Sequence, residues 1–186
     1  MAALSLDQAS TGAAGAVVGT PEAQVIPGPG RYEIDTTCSA VTFRTRHLFG
    51  LAPVRGRLAF AAGSVQVTEP LTASRLTAEI DAASFRSGNP ARDSSVRSAR
   101  LLDAGRFPVL AFTADRLDGQ SLAGPLTVRD VSRPVTWSAG LTEIEPGSFT
   151  ARARARIDRA EFGITGYRGL AGRYLDITVE VRCVRQ

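Results

Sequence analysis

The sequence predicts an all-β fold: a closed antiparallel up-and-down barrel of about eight strands with one helical excursion near residues 90–104. Three observations carry this reading. From Arg31 onward, apolar and polar residues alternate with period two between Gly, Pro and Asp-Gly turns. One segment alone, NPARDSSVRSARLLDAGRFP over residues 89–108, changes to helical spacing. Most of the other connections are short, which favours consecutive hairpins over a Greek-key sandwich.

The elements follow in order. Residues 1–30, rich in Ala, Gly, Thr and Pro, read as a disordered leader, and residues 31–186 as one barrel domain. Val41, Phe43 and Thr45 share one strand face while Thr42, Arg44 and Arg46 share the other. Val54, Gly56, Leu58 and Phe60 alternate with Arg55 and Arg57, and Leu76, Ala78 and Ile80 with Arg75, Thr77 and Glu79. Asn89 and Pro90 then supply an N-cap and first helical residue, Val96, Ala99 and Leu102 recur at helical spacing, and Gly105 with Pro108 ends the helix. Strands resume over 108–117, 121–128, 132–143, 148–157 and 172–183, with turns at Asp118-Gly119 and Pro146-Gly147. In RARARI, residues 152–157, the arginines take the outer face and the alanines the inner one.

Composition narrows the function classes. Hydrophobic residues make up 44% and charged residues 22% of the 186, the balance of an ordinary globule. All 22 basic residues are arginine. Residues 1–147 are neutral, so the net charge of +4 comes from residues 148–186. Neither Lys nor aromatic interleaving accompanies these arginines, so nucleic acid is not an expected partner. One histidine and two distant cysteines, Cys38 and Cys183, make no recognisable metal site, and no dinucleotide or phosphate-loop motif calls for a cofactor. The cysteines are expected as free thiols, with a disulfide between the first and last strands as the alternative. No apolar run is long enough for a transmembrane helix. The leader has no Lys or Arg before Arg31, and Asp7 interrupts its apolar residues, so the expected location is cytoplasmic.

The barrel interior is expected to be hollow. Gly56, Ala78, Ala114, Gly124, Ala139, Ala151, Ala153 and Ala155 fall at inward positions, and an eight-stranded barrel has room for one small ligand when its lining is small. Phe43, Phe60, Phe112, Trp137, Phe162 and Tyr167 are the expected aromatic walls. His47, the sole histidine, continues the parity of Phe43 and Thr45 and points inward near a barrel end. It is read either as a head-group contact or acid/base group, or as a structural peg for the 47–53 turn. The pair Arg159 and Glu161 reads as a local surface pair.

Several stretches occur together in a recognisable order: SAVTFRTRHLFG, VRGRLAF, ASFRSGNPARDSSVRSARLLDAGRFPVLAFTA, LAGPLTVRDVSRPVTW and IDRAEFGI. From about Arg31 to Val184 the chain resembles the YceI-like family of polyisoprenoid-binding, lipocalin-like proteins. The resemblance implies an elongated apolar channel closed at one end by the helical segment, holding a long amphiphile such as an isoprenoid quinone, a polyprenyl phosphate or a fatty-acid amide. It also matches Arg92 and Asp93 to the family's Arg-Asp pair. Arg92 then either clamps a ligand oxyanion or seats the helix through an ion pair. The expectation is a binding, sequestering or carrier protein that needs no cofactor, and a homodimer is compatible with it. The alternative is a cofactor-independent cyclase or isomerase acting on a polyketide- or terpenoid-derived substrate in the same cavity.

Overall fold

The computed structural model describes residues 26–46, 51–118 and 120–186, together with the backbone alone of His47. Most of the leader predicted over 1–30, and Gly119 of the predicted Asp118-Gly119 turn, lie outside the described residues.

The chain forms β1 (Gly30–Ile34), β2 (Ala40–His47), β3 (Ala52–Leu58), β4 (Phe60–Val67), β5 (Arg75–Asp81), α1 (Pro90–Arg97), β6 (Val109–Ala114), β7 (Arg116–Leu117), β8 (Ser121–Val128), β9 (Val131–Glu145), β10 (Ser148–Asp158) and β11 (Tyr174–Arg185). These segments make a closed eight-stranded antiparallel barrel, because β1 with β2, β3 with β4 and β6 with β7 each act as one interrupted strand. Closure falls on β11. Along one edge it pairs with β10 from Tyr174 to Val184, and along the other with β2 over Asp176–Glu180 and with β1 over Cys183–Arg185.

The interruptions are held by side chains. Between β1 and β2, Asp35 Oδ1 accepts from the Thr37 amide (2.9 Å) and hydroxyl (2.6 Å), forming a local turn. The Ser39 hydroxyl, fully buried, accepts from the Arg182 amide at 3.0 Å and so supplies a missing rung of the ladder. Between β3 and β4, the Ala59 amide donates to Ser84 Oγ at 2.8 Å.

The helix is shorter than the sequence predicts. Asn89 Oδ1 accepts from the Arg92 amide at 3.0 Å and Pro90 opens the first turn, as expected. Ser98, however, is extended (ψ 167°), and its hydroxyl donates to the Ser95 carbonyl at 2.7 Å, which ends α1 at Arg97. Residues 98–107 continue as turns, so Ala99 is exposed while Leu101 and Ala104 are buried.

A second correction concerns Arg159. It is not a surface partner of Glu161, for Glu161 is exposed whereas Arg159 is 8% exposed. Asp158 caps a short 3-10 turn over Arg159–Phe162 by accepting from the Ala160 amide, and Gly163 ends it at φ 70°, a left-handed conformation suited to glycine. That turn aims the Arg159 guanidinium at three carbonyls of the following loop: Gly172 from Nε (2.8 Å), Ile164 from Nη1 (2.8 Å) and Ala171 from Nη2 (3.2 Å). Burial lowers its pKa from the ordinary arginine value, partly opposed by the charge of Asp158. Arg173 in turn pairs with Asp158 at 2.7 Å.

Two core clusters flank the barrel interior. One gathers Ile34, Val54, Phe60, Val65 and Phe149 from the β1–β5 wall and β10; the other gathers Phe112, Leu126, Trp137, Ile157 and Phe162 from the opposite side. Cys38 is exposed and Cys183 buried, and both thiols are free.

Two outcomes are expected. Arg159→Met leaves three loop carbonyls without their donor and lowers the unfolding free energy by about 2–3 kcal/mol in urea titrations. Burial pushes the Cys183 thiol up to about 12 from the ordinary 9.0. The unfolded state therefore gains by ionising first, and stability falls from about pH 9 upward. Between pH 8 and 10 the loss is about 1.4 kcal/mol, and Cys183→Ala removes that part of the slope.

Candidate functional site

The space between the two clusters is a cavity of about 610 Å³ that runs along the barrel axis. That volume lies within the range of pockets that enclose a small ligand. The clearest sign of its hollowness is on β11. Leu175, Ile177, Val179 and Val181 all face inward and line the cavity, yet none is fully buried. Close-packed inward residues would be buried; these four face empty space.

The meander sorts the connections between two ends. The β2–β3 turn, the 82–108 segment with α1, the β8–β9 turn and the 159–173 segment share one end. The β4–β5, β7–β8 and β9–β10 connections share the other. Polar lining is concentrated at the first end, where Asn89, Arg92 and Ser95 of the α1 region, Thr45 of β2 and Arg159 reach the cavity. Arg92 is not ion-paired with Asp93. Its Nη1 donates to Ser87 Oγ at 3.4 Å, while the buried Asp93 accepts from the Ser87 amide (2.8 Å) and hydroxyl (2.6 Å). Ser87 thus ties both to the loop before α1, leaving most of the Arg92 donors available.

Of the residues singled out in the sequence, Phe43, Phe60, Arg92, Phe112, Trp137, Phe162 and Tyr167 all line this cavity. His47 ends β2, its backbone paired with Ala52, and its side chain lies outside the described residues. Phe112 and Trp137 meet edge to face at 5.7 Å. The indole Nε1 of Trp137 is buried and has no hydrogen-bond partner among the described residues. Tyr167 sits at φ 55°, where its carbonyl accepts from the Leu170 and Ala171 amides.

Two aromatic lining residues escaped the sequence reading. Phe85 stacks on Phe43 at 5.2 Å, and Phe149 meets Tyr32 edge to face at 5.1 Å. Not all the small inward residues make room either. Ala78, Ala139, Ala151 and Ala153 line the cavity, but the Phe43 ring packs directly on Gly56. Gly124 admits the carbonyl of Thr113, and Ala114 is completely buried.

The family model of the YceI-like domain matches residues 32–184. A UPF0312 protein of Vibrio vulnificus (strain YJ016) is 31% identical over 116 residues, covering 58% of this chain and 61% of the relative. The chain thus spans about three fifths of that relative's length. A UPF0312 protein of Yersinia enterocolitica is 29% identical over 155 residues, covering 78% and 80% respectively. Among solved structures, BcnA of Burkholderia cenocepacia superposes with a TM-score of 0.68 at 20% identity, over 80% of this chain and 98% of that one. A polyisoprenoid binding domain from Saccharophagus degradans gives 0.66 at 14% identity, over 83% and 98%. At these identities the two structures establish the barrel fold.

Because Ala153 borders unfilled space, Ala153→Leu is expected to raise the unfolding free energy by about 1 kcal/mol through added apolar burial. Gly124→Ala, which collides with the Thr113 carbonyl, is expected to lower it in the same thermal or urea measurement.

Proposed function

The chain belongs to the YceI-like family, and from that premise we propose that its barrel binds one long hydrophobic amphiphile and sequesters or carries it. The observation that carries the reading is the inward column Leu175, Ile177, Val179 and Val181, an apolar wall that packs on the core clusters yet stays partly uncovered where it borders the cavity. A ligand chain lying against it covers that surface. Each methylene withdrawn from water contributes about 0.8 kcal/mol. About ten methylenes therefore offset the ordering cost of association and leave useful affinity.

Two polar features favour an amphiphile over a plain hydrocarbon. Trp137 Nε1 is a buried donor without a partner, and a carbonyl or ether oxygen of the ligand satisfies it. Arg92, with its free donors at the α1 end, suits an oxygen-rich head group. Isoprenoid quinones and other polyprenyl or fatty-acid derivatives combine both properties with a slender apolar tail. The polyisoprenoid-binding neighbour from Saccharophagus degradans points to the same class. The cyclase or isomerase alternative gains no specific observation.

Trp137 is the only tryptophan in the chain, so its fluorescence reports the cavity directly. Titration with a long-chain isoprenoid quinone is expected to quench it saturably at one ligand per chain. Ala153→Phe is expected to weaken binding about tenfold or more by filling the channel, and Arg92→Gln to weaken a phosphorylated polyprenol more than the parent alcohol. No quenching, together with no apolar compound extracted from the purified protein, sinks the reading.

A further inference from the structure

Four exposed arginines on and beside β10 and β11 stand next to acids. Arg152 faces Glu180 across β10 and β11 and pairs with it at 2.6 Å, and Arg156 faces Asp176 with 3.9 Å between Nε and Oδ1. Arg182 pairs with Glu145 at 3.0 Å and Arg173 with Asp158 at 2.7 Å. A different arrangement holds on the wall formed by β2, β3 and the loop before α1. There Arg44 stands directly opposite Arg55, and an isolated antiparallel bridge sets Arg57 directly opposite Arg86. Arg55 and Arg57 are two residues apart on one strand, so both pairs project outward side by side, and all four residues are exposed.

Like charges placed directly across a ladder oppose the pairing, and here two such pairs adjoin. No ion pair to Arg44, Arg55, Arg57 or Arg86 occurs among the described residues. Two acids of adjoining segments are engaged elsewhere. Asp176 lies opposite Arg44 in register but approaches Arg156, and the buried Asp93 is occupied by Ser87. Arg86 is braced rather than neutralised, its Nη1 donating to the carbonyls of Phe85 (2.9 Å) and Ala83 (3.4 Å). The four arginines, with Thr42 and Ser87, rim a shallow open depression of about 320 Å³.

We propose that this depression is a binding site for a phosphate-bearing polyanion, separate from the cavity and on the opposite face of the same strands. Planar guanidinium groups offer paired donors that match phosphate oxygens, and a ligand with several charges relieves both like-charge pairs at once. The same phosphate chemistry reaches the site either as a free diphosphate-like solute or as the head group of an anionic lipid. Nothing in the proposal requires the cavity to be filled, so it stands or falls apart from the amphiphile reading.

The test uses the full chain with two probes at fixed ionic strength: inorganic pyrophosphate by calorimetry, and phosphatidylglycerol vesicles by co-sedimentation with phosphatidylcholine vesicles as reference. The variants are Arg44→Gln/Arg55→Gln and, as control, Arg154→Gln, which removes an outer arginine elsewhere. Saturable pyrophosphate binding that weakens about tenfold or more in the double variant supports the site with a soluble source. Vesicle binding lost in the double variant and kept in the control supports it with a lipid source. In either case the double variant is expected to fold at least as stably as the parent, because a like-charge pair has been removed. Absence of binding to both probes, or binding equal in parent and double variant, overturns the proposal. Thr42, Ser87 and the quenching of Trp137 by quinone are untouched by these changes, so the two sites are read independently.

Discussion

The structure depends on the double duty of β11. One edge of this strand zips along β10, while its other edge must serve β2 with its first half and β1 with its last three residues. Without that split the sheet has two open edges, each a row of unpaired backbone groups. The split also accounts for the interruption between Ile34 and Ala40. A barrel needs its strands to bend as the sheet closes, and the Asp35 turn with the buried Ser39 hydroxyl lets the chain bend while the ladder stays satisfied. Closure then fixes parity, and parity puts Leu175, Ile177, Val179 and Val181 inside.

A hollow barrel must be held open from its ends, because its middle lacks the packing that keeps an ordinary core in place. At the end carrying α1, two buried ionic side chains do this through backbone and hydroxyl groups. Arg159 collects the carbonyls of Ile164, Ala171 and Gly172, and so pins the 164–172 loop over the barrel. Asp93 gathers the amide and hydroxyl of Ser87 and fixes the start of α1. In both cases a charge is surrounded by dipoles, and removing the charge strands several polar groups at once.

Strand parity was legible in the sequence because the alternation of RARARI or VTFRTR has one physical meaning: one face wet, the other dry. The same parity, carried back from Ala151, reaches Phe149, so that wall residue was available to the reading and was missed. Phe85 was not available, since it sits in a loop with no period to follow. The end of α1 was obscured because Gly105 and Pro108 are strong stop signals, whereas Ser98 stops the helix through a hydroxyl bond that sequence does not announce. Arg159 and Glu161 read as a surface pair because they are opposite charges two residues apart in a connection, where charged side chains are usually solvated. A 3-10 turn separates them instead. Small residues proved ambiguous for a deeper reason. Ala153 is small beside empty space, while Gly56 and Gly124 are small because a neighbour already occupies the room, and sequence gives the size of a side chain without giving which of these it serves.

The alternation that builds the barrel also keeps its two faces chemically independent. Phe43 and Arg44 are adjacent in sequence, yet the first packs its ring over Gly56 inside while the second opposes Arg55 outside. An apolar ligand acts on the inner face by supplying missing contacts, so its binding free energy adds to the stability of the fold. The outer face is governed by charge, which is screened by salt, whereas burial of an apolar tail is not. One sheet can therefore carry an interior that responds to the length of an apolar chain and an exterior that responds to ionic surroundings. Two side chains bridge these regimes: Ser87, which touches Arg92 of the cavity lining and borders the arginine depression, and Phe43, which borders both spaces. Coupling between the two faces has a physical route there: through the serine and the Asp93 carboxylate that holds it, and through the Phe43 ring that packs on Gly56.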